Sequence, residues 1–261
     1  MLMLSWILTK IIRWSSRGRY GNKLNILTYH RVDEFEDPLN PDILALSKFQ
    51  AQLEWLTTYF NVLPLPEAID LMSKGELPPG AVCLTIDDGY EDSYYHIYKL
   101  LKKYGLTASF FVATEGLTSG GLWDESIRHA ISKAPNTLST LEVNGKVYDI
   151  STFNERMKSR DEITEKIKYM SVPQRQTAID DLYQQTNVKP LKNCFLSAEQ
   201  IKEMHTNGMV IGGHTHNHPI LEAENQSDSK HQIVRCHDIL SEIIGQEIEY
   251  FAYPNGKYQL D

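Results

Sequence analysis

Four short apolar runs in this 261-residue chain share one layout: each stops at polar residues able to do chemistry. They are LNILTYHR (24–31), AVCLTIDDGY (81–90), GMVIGGHTHNHP (208–219) and IEYFAYPNG (248–256). Helical periodicity fills the gaps between them. The stretch 47–60 places Phe49, Leu53 and Leu56 on one face, with Ser47 as its expected cap. The stretches 65–75 and 92–105 each close on a glycine. GLTASFFVAT (105–114) reads as a further strand, rich in β-branched and aromatic residues. Short strands alternating with helices predict a parallel sheet or a barrel of βα units. Both architectures gather chemistry at the carboxyl ends of their strands, which is where all four polar clusters fall.

Residues 115–195 follow a different pattern and are expected to form an α/β insertion capping the site. LEVNGKVYDI (141–150) predicts a hairpin, because Asn144-Gly145 suits a type I′ turn between alternating strands. Two polar, helix-prone stretches follow, around 153–170 and 173–186. The expected organisation is an N-terminal amphipathic helix at 1–20 and one catalytic domain at 24–261 carrying that insertion. The length suits a single large α/β domain. A net charge of −8 with no Lys/Arg block excludes a nucleic-acid partner and remains compatible with a neutral or cationic substrate. Of the three cysteines, Cys83 lies inside an apolar run and is expected to act as a small buried hydrophobe.

The first residues, MLMLSWILTKIIRWSSRGR, place Leu4, Ile7, Leu8, Ile11 and Ile12 on one helical face, with Lys10 and Arg13 opposite. The stretch is too short and too interrupted to span a bilayer and lacks a small-residue cleavage site. Packing on its own domain is the preferred reading. Peripheral membrane contact, suggested by Trp6 and Trp14, is the alternative. The expected location is accordingly cytoplasmic or peripheral to a membrane.

HTHNHP holds His214, His216 and His218. His214 and His218 have i, i+4 spacing, but Pro219 disfavours the α region at His218, which predicts a loop leaving a strand. Two neutral imidazoles and one carboxylate form a facial site that zinc and other divalent transition metals accept. Asp87 or Asp88 is the available carboxylate; one would bind the cation and its neighbour would remain as a base. His30, ending the first run, is the best-placed acid. Each element alone has an ordinary explanation: Asp-Gly after a strand is turn chemistry, and a lone histidine pair is often surface or core. Together, at strand ends of one domain, they favour a metal site.

These residues resemble the polysaccharide deacetylase family, the NodB-homology group of carbohydrate esterases. LTIDDGYED (84–92) resembles the family's T-[FY]-D-D-G motif with Ile86 in place of the aromatic, and HTHNHP matches H-[ST]-x-x-H-P. LTASFFVAT (106–114) resembles the strand that follows the first motif. The resemblance implies a distorted (β/α) barrel of about seven strands, related to TIM barrels. It implies Asp87 as catalytic base, and Asp88, His214 and His218 as ligands of a divalent metal, usually Zn2+. Thr215 would support the histidine loop. The implied reaction removes N-acetyl groups from N-acetylhexosamine units of a glycan, leaving a free amine and acetate.

Two departures stand out. The family's R-x-P-[YF]-G motif reads A-Y-P-N-G here, with Ala252 where an arginine often orients the catalytic aspartate. Tyr253, Pro254 and Asn255 would line the groove, and Trp123 and Tyr90 are further candidates for substrate contact. The late motif carrying the family's usual histidine is missing. LTYHRV (27–32) resembles the early histidine strand of the branch acting on poly-N-acetylglucosamine, which makes His30 the implied acid; the rival expectation is an incomplete C-terminus. Alternatives to N-deacetylation are an O-acetyl esterase using the same centre and a non-catalytic glycan-binding module. The sequence leaves the oligomeric state open.

Overall fold

The computed structural model describes residues 10–12, 15–18 and 21–257. Most of the expected 1–20 helix, including Trp6 and Trp14, lies outside the described residues. Among the described residues no helix is long and apolar enough to cross a membrane. Ile12 is half-buried beside a groove of about 840 Å³ that Leu27, Trp55 and Phe60 also line.

The sheet is entirely parallel. Its strands are β1 (Asn25–Tyr29), β2 (Asn61–Val62), β3 (Ala81–Asp88), β4 (Ser109–Val112) and β7 (Val210–Gly213), in the order β7-β4-β3-β1 with β2 paired to the start of β3. Helices α1 (Leu46–Tyr59), α2 (Leu65–Lys74) and α3 (Lys99–Lys103, after a π-helical turn at Ser93–Tyr98) fall between the early strands. α7 (Ala198–Thr206) and α8 (Gln226–Ile244) flank β7. The α1 cap is Ala45, so Ser47 sits inside the first turn.

Strand β3 explains the apolar run before the aspartates. Val82, Leu84 and Ile86 pack with Phe49, Leu53, Ile97 and Leu101. Ala81 and Cys83 belong to a second cluster with Leu65, Ala68 and Phe111. A strand covered on both faces reads as continuous hydrophobic sequence rather than alternation. Register then sets the site: Asp88 pairs with Val112, and Val112 with Gly213, so Asp88 is level with the residue preceding His214. Tyr29 pairs with Ile86, which brings His30 level with Asp87.

The barrel of about seven strands is corrected to an open sheet. The main sheet holds five strands, and among the described residues no closed barrel forms. The outer edge of β1 faces solvent, with Ile26 51% and Leu27 37% exposed. At the opposite edge IEYFAYPNG contributes a single rung, Gly213 to Phe251, before the turn at Pro254–Gly256. Proline offers no N–H to a ladder, so the fourth run stops pairing where the chemistry-bearing residues begin.

Between β4 and α7 lie α4 (Trp123–Lys133), β5 (Thr140–Val143), β6 (Lys146–Asp149), α5 (Phe153–Ile167) and α6 (Val172–Thr186). β5 and β6 pair as an antiparallel hairpin, with Asn144 at φ 51° and Gly145 at φ 76°, the positive pair a type I′ turn requires. This segment has its own core, centred on Ile127, Ile131, Leu141, Ile163 and Leu182. It meets the sheet on the side of the histidine loop.

Candidate metal centre

Asp88 ends β3 at φ 78°, a left-handed conformation a non-glycine residue seldom adopts, and is only 4% exposed. His214 and His218 leave β7 in a loop rather than a helix, with Thr215 at φ 67° and His218 at φ 50°. Nε2 of His214 lies 3.5 Å from Asp88 Oδ1, and Nε2 of His218 lies 3.4 Å from the same oxygen. These distances are too long for strong hydrogen bonds. They match the separation of roughly 3.4 Å between neighbouring donors that each lie about 2.0–2.1 Å from a tetrahedral ion. Asp88 Oδ1 and His218 Nε2 are buried without a hydrogen-bond partner. One donor atom from each of the three residues lies within 4.8 Å of the others. This geometry fits a divalent cation.

The protonation states fit as well. His214 donates from Nδ1 to the Ala252 carbonyl at 2.9 Å, which leaves the lone pair on Nε2 facing Asp88. Burial, then the His218 charge, holds His214 well below the ordinary histidine range. Burial, then the charges of Arg175 and His30, pushes His218 down to about 3. Both imidazoles are therefore neutral donors at neutral pH. Asp88 is raised well above the ordinary range by burial and by the charges of Asp124, Asp87 and Glu125, with Arg31 acting against them. Burial pushes Asp87 up to about 7, and its Oδ1 is buried with no partner. A crowd of buried carboxylates with raised pKa values is what an added cation offsets.

Beside Asp88 opens a cavity of about 380 Å³, which His30, Arg31, Tyr90, Asp124 and Arg128 also line. His30 sits at its exposed rim. Desolvation lowers its pKa, and the charges of Asp124 and Asp42 oppose that. Tyr90 is 2% exposed and lies beneath the Arg31 guanidinium, 4.6 Å from ring centre to Cζ. Trp123 is 7% exposed and donates from Nε1 to the His218 carbonyl at 3.0 Å. Pro254 is buried while Tyr253 and Asn255 are exposed; none of these three lines the cavity. Their segment reaches the centre through the Ala252 carbonyl.

Sequence reasoning left out a charged ring around the cavity. Arg31 pairs with Asp92 at 2.7 Å and with Glu125 at 2.9 Å. Arg128 pairs with Asp42 at 2.9 Å and with Glu125 at 3.4 Å. Asp124 carries a buried Oδ1 with no partner, and burial raises its pKa, with Arg128 and Arg175 opposing. An acidic pair opening a helix reads in sequence as ordinary first-turn chemistry, so Asp124 and Glu125 carried no distinctive signal. Among the described residues no cation near Ala252 takes the place of the family's arginine in the shift at Asp87, where burial is the cause.

Fold and site together define an α/β protein with a two-histidine, one-carboxylate centre at the carboxyl edge of a parallel sheet. The chain belongs to the polysaccharide deacetylase family, whose model matches residues 74–261. It is 32% identical over 112 residues to the poly-beta-1,6-N-acetyl-D-glucosamine N-deacetylase of Staphylococcus epidermidis, a match covering 38% of each chain. The corresponding Staphylococcus aureus protein is 35% identical over 99 residues, covering 38% of this chain and 33% of that one. The match thus spans well under half the length of these curated relatives. Among solved structures, the Streptococcus pyogenes deacetylase PplD in complex with acetate aligns with a TM-score of 0.59 at 22% identity, covering 92% of this chain and 76% of that one. IcaB from Ammonifex degensii aligns with a TM-score of 0.55 at 21% identity, covering 92% and 77%. These two likenesses concern the fold.

Proposed function

We propose that the protein is a metal-dependent N-deacetylase acting on N-acetylhexosamine units of a glycan of the poly-N-acetylglucosamine kind. The observation that carries the reading is the convergence of His214 Nε2 and His218 Nε2 on Asp88 Oδ1, with a second aspartate adjacent. Asp88, His214 and His218 would hold a divalent cation, for which Zn2+ suits the donor set. When bound, such an ion supplies Lewis acidity to a water molecule and to the acetyl carbonyl.

Asp87 takes the proton of the attacking water. Burial raises the Asp87 pKa and its Oδ1 is buried without a partner, so it is a stronger base than an exposed aspartate. As the tetrahedral carbon collapses and the C–N bond breaks, His30 gives a proton to the departing amine. The lowered pKa of His30 makes its imidazolium a stronger acid, and Asp124 and Asp42 offset the cost of charging it. Tyr90 and Arg31 line the same cavity, and Tyr253 and Asn255 offer an exposed shelf to neighbouring sugars.

The test is acetate release from N-acetylated glucosamine oligomers by zinc-loaded protein, alongside an O-acetylated xylan oligomer. Release from the N-acetylated set that depends on Asp87 supports the reading. Release from the O-acetylated set alone would replace it with an esterase, and release from neither would remove enzymatic function.

A further inference from the structure

All four carbonyls that follow His214 have donors. Thr114 N donates to Thr215 O at 3.3 Å, and Glu115 N donates to His216 O at 2.9 Å. Arg175 Nη2 donates to Asn217 O at 2.8 Å, and Trp123 Nε1 donates to His218 O at 3.0 Å. The first two donors are backbone at the end of β4. The other two are side chains from α4 and α6, far away in sequence and both buried, Trp123 to 7% and Arg175 to 2% exposure. They also brace one another, with the guanidinium 4.7 Å from the indole centre.

The loop needs holding. Thr215 and His218 are both left-handed, at φ 67° and 50°. Such residues cost on the order of 1–3 kcal/mol each and persist only where the surroundings over-determine them. α8 supplies one restraint: Asn217 N donates to Gln232 Oε1, and Gln232 Nε2 donates to Asn217 Oδ1, both at 2.7 Å. That grip stops one residue short of His218. Neither ring nitrogen of His218 has a hydrogen-bond partner, and the ring packs against that of His214 with 4.9 Å between centroids. No hydrogen bond to the ring fixes its aim at Asp88, so that aim depends on the backbone, whose carbonyl at His218 accepts from Trp123.

We propose that Trp123 and Arg175 are positioning residues for the His218 arm of the centre. The segment from α4 to α6 then acts as a brace that keeps His218 Nε2 at donor distance from Asp88 Oδ1, setting cation affinity rather than substrate affinity. This rests on the metal reading above.

The test uses Trp123→Phe, which keeps the ring packing and removes the N–H, and Arg175→Met, which keeps most of the stem. Zinc affinity is measured by competition with a chromophoric chelator, alongside the visible spectrum of the cobalt-substituted protein and the unfolding midpoint of the metal-free protein. Each variant is expected to bind zinc about 10-fold or more weakly, the scale seen for groups that orient metal ligands. The cobalt spectrum should change in both, while KM at saturating zinc stays at the wild-type value in Arg175→Met. Arg175→Lys should recover part of the lost affinity. Wild-type zinc affinity and cobalt spectrum in both variants would overturn the proposal. So would an affinity loss matched by an equal loss of metal-free stability, which would make the two residues structural only. Should Arg175→Met fail to fold, Trp123→Phe decides. A wild-type protein that binds no zinc would remove the metal reading itself, a failure distinct from variants that bind as well as wild type.

Discussion

Nε2 of His218 stands 3.4 Å from Oδ1 of Asp88, both buried, and neither has a hydrogen-bond partner. Two unsatisfied polar atoms facing each other in a protein interior are unfavourable unless something belongs between them. Removing a donor should therefore remove the ion. His214→Ala and Asp88→Asn are expected to abolish stoichiometric zinc, as read by elemental analysis after gel filtration. Full zinc occupancy in His214→Ala would dismiss the assignment of these ligands.

Asp87 differs from its neighbour in role, so its substitution should differ in outcome. Asp87→Asn is expected to keep zinc and to lower kcat by about 10²–10⁴, the usual contribution of a general base. His30→Asn should likewise keep zinc and lower kcat within the same range. Equal acetate release by Asp87→Asn and wild type would end the proposed mechanism.

The metal-free protein should carry a stability penalty that depends on pH. Burial raises Asp87 from an ordinary 3.8 to about 7. Between those values the folded state holds a proton that the unfolded state has released. The contribution of Asp87 to stability is then highest at acid pH, declines as pH rises through this window, and levels off above about 7. The span corresponds to a penalty on the order of 4 kcal/mol. In chelator-treated protein, the fall in denaturant midpoint from pH 5 to pH 8 should be smaller for Asp87→Asn than for wild type. Identical pH profiles would contradict the burial argument.

Gly212 is required by crowding rather than by backbone freedom. A Cβ placed there would meet Phe111 Cδ1 at 2.6 Å and the Tyr250 carbonyl at 2.9 Å. Gly212→Ala is expected to destabilise the fold by about 1–3 kcal/mol, since the backbone oxygen cannot swing away. Chemical denaturation would read this directly, and an unchanged midpoint would show that the sheet yields at this point. The φ of Gly212 is not positive, and its use is close approach.

Much of this protein was legible one residue at a time. The apolar run before Asp87 and Asp88 announced a strand, and Asn144-Gly145 announced its turn. Pro219 marked the histidine segment as a loop, and the two motifs identified the family. These features are local: strand propensity, turn chemistry and motif spacing act over a few residues. Three things were decided only in three dimensions. Sheet register brought Asp88 level with Gly213 and His30 level with Asp87, because neighbouring strands are joined by hydrogen bonds the sequence does not record. Among the described residues the sheet is open, with the β1 edge exposed and pairing ended beyond Phe251 by Pro254. Finally, Trp123 and Arg175 became donors to the histidine loop because a buried carbonyl needs a partner and theirs were the N–H groups the folded chain brought there. Chemistry-bearing residue types are written in sequence; which buried group faces which is settled by packing, through contacts between residues as far apart as Trp123 and His218.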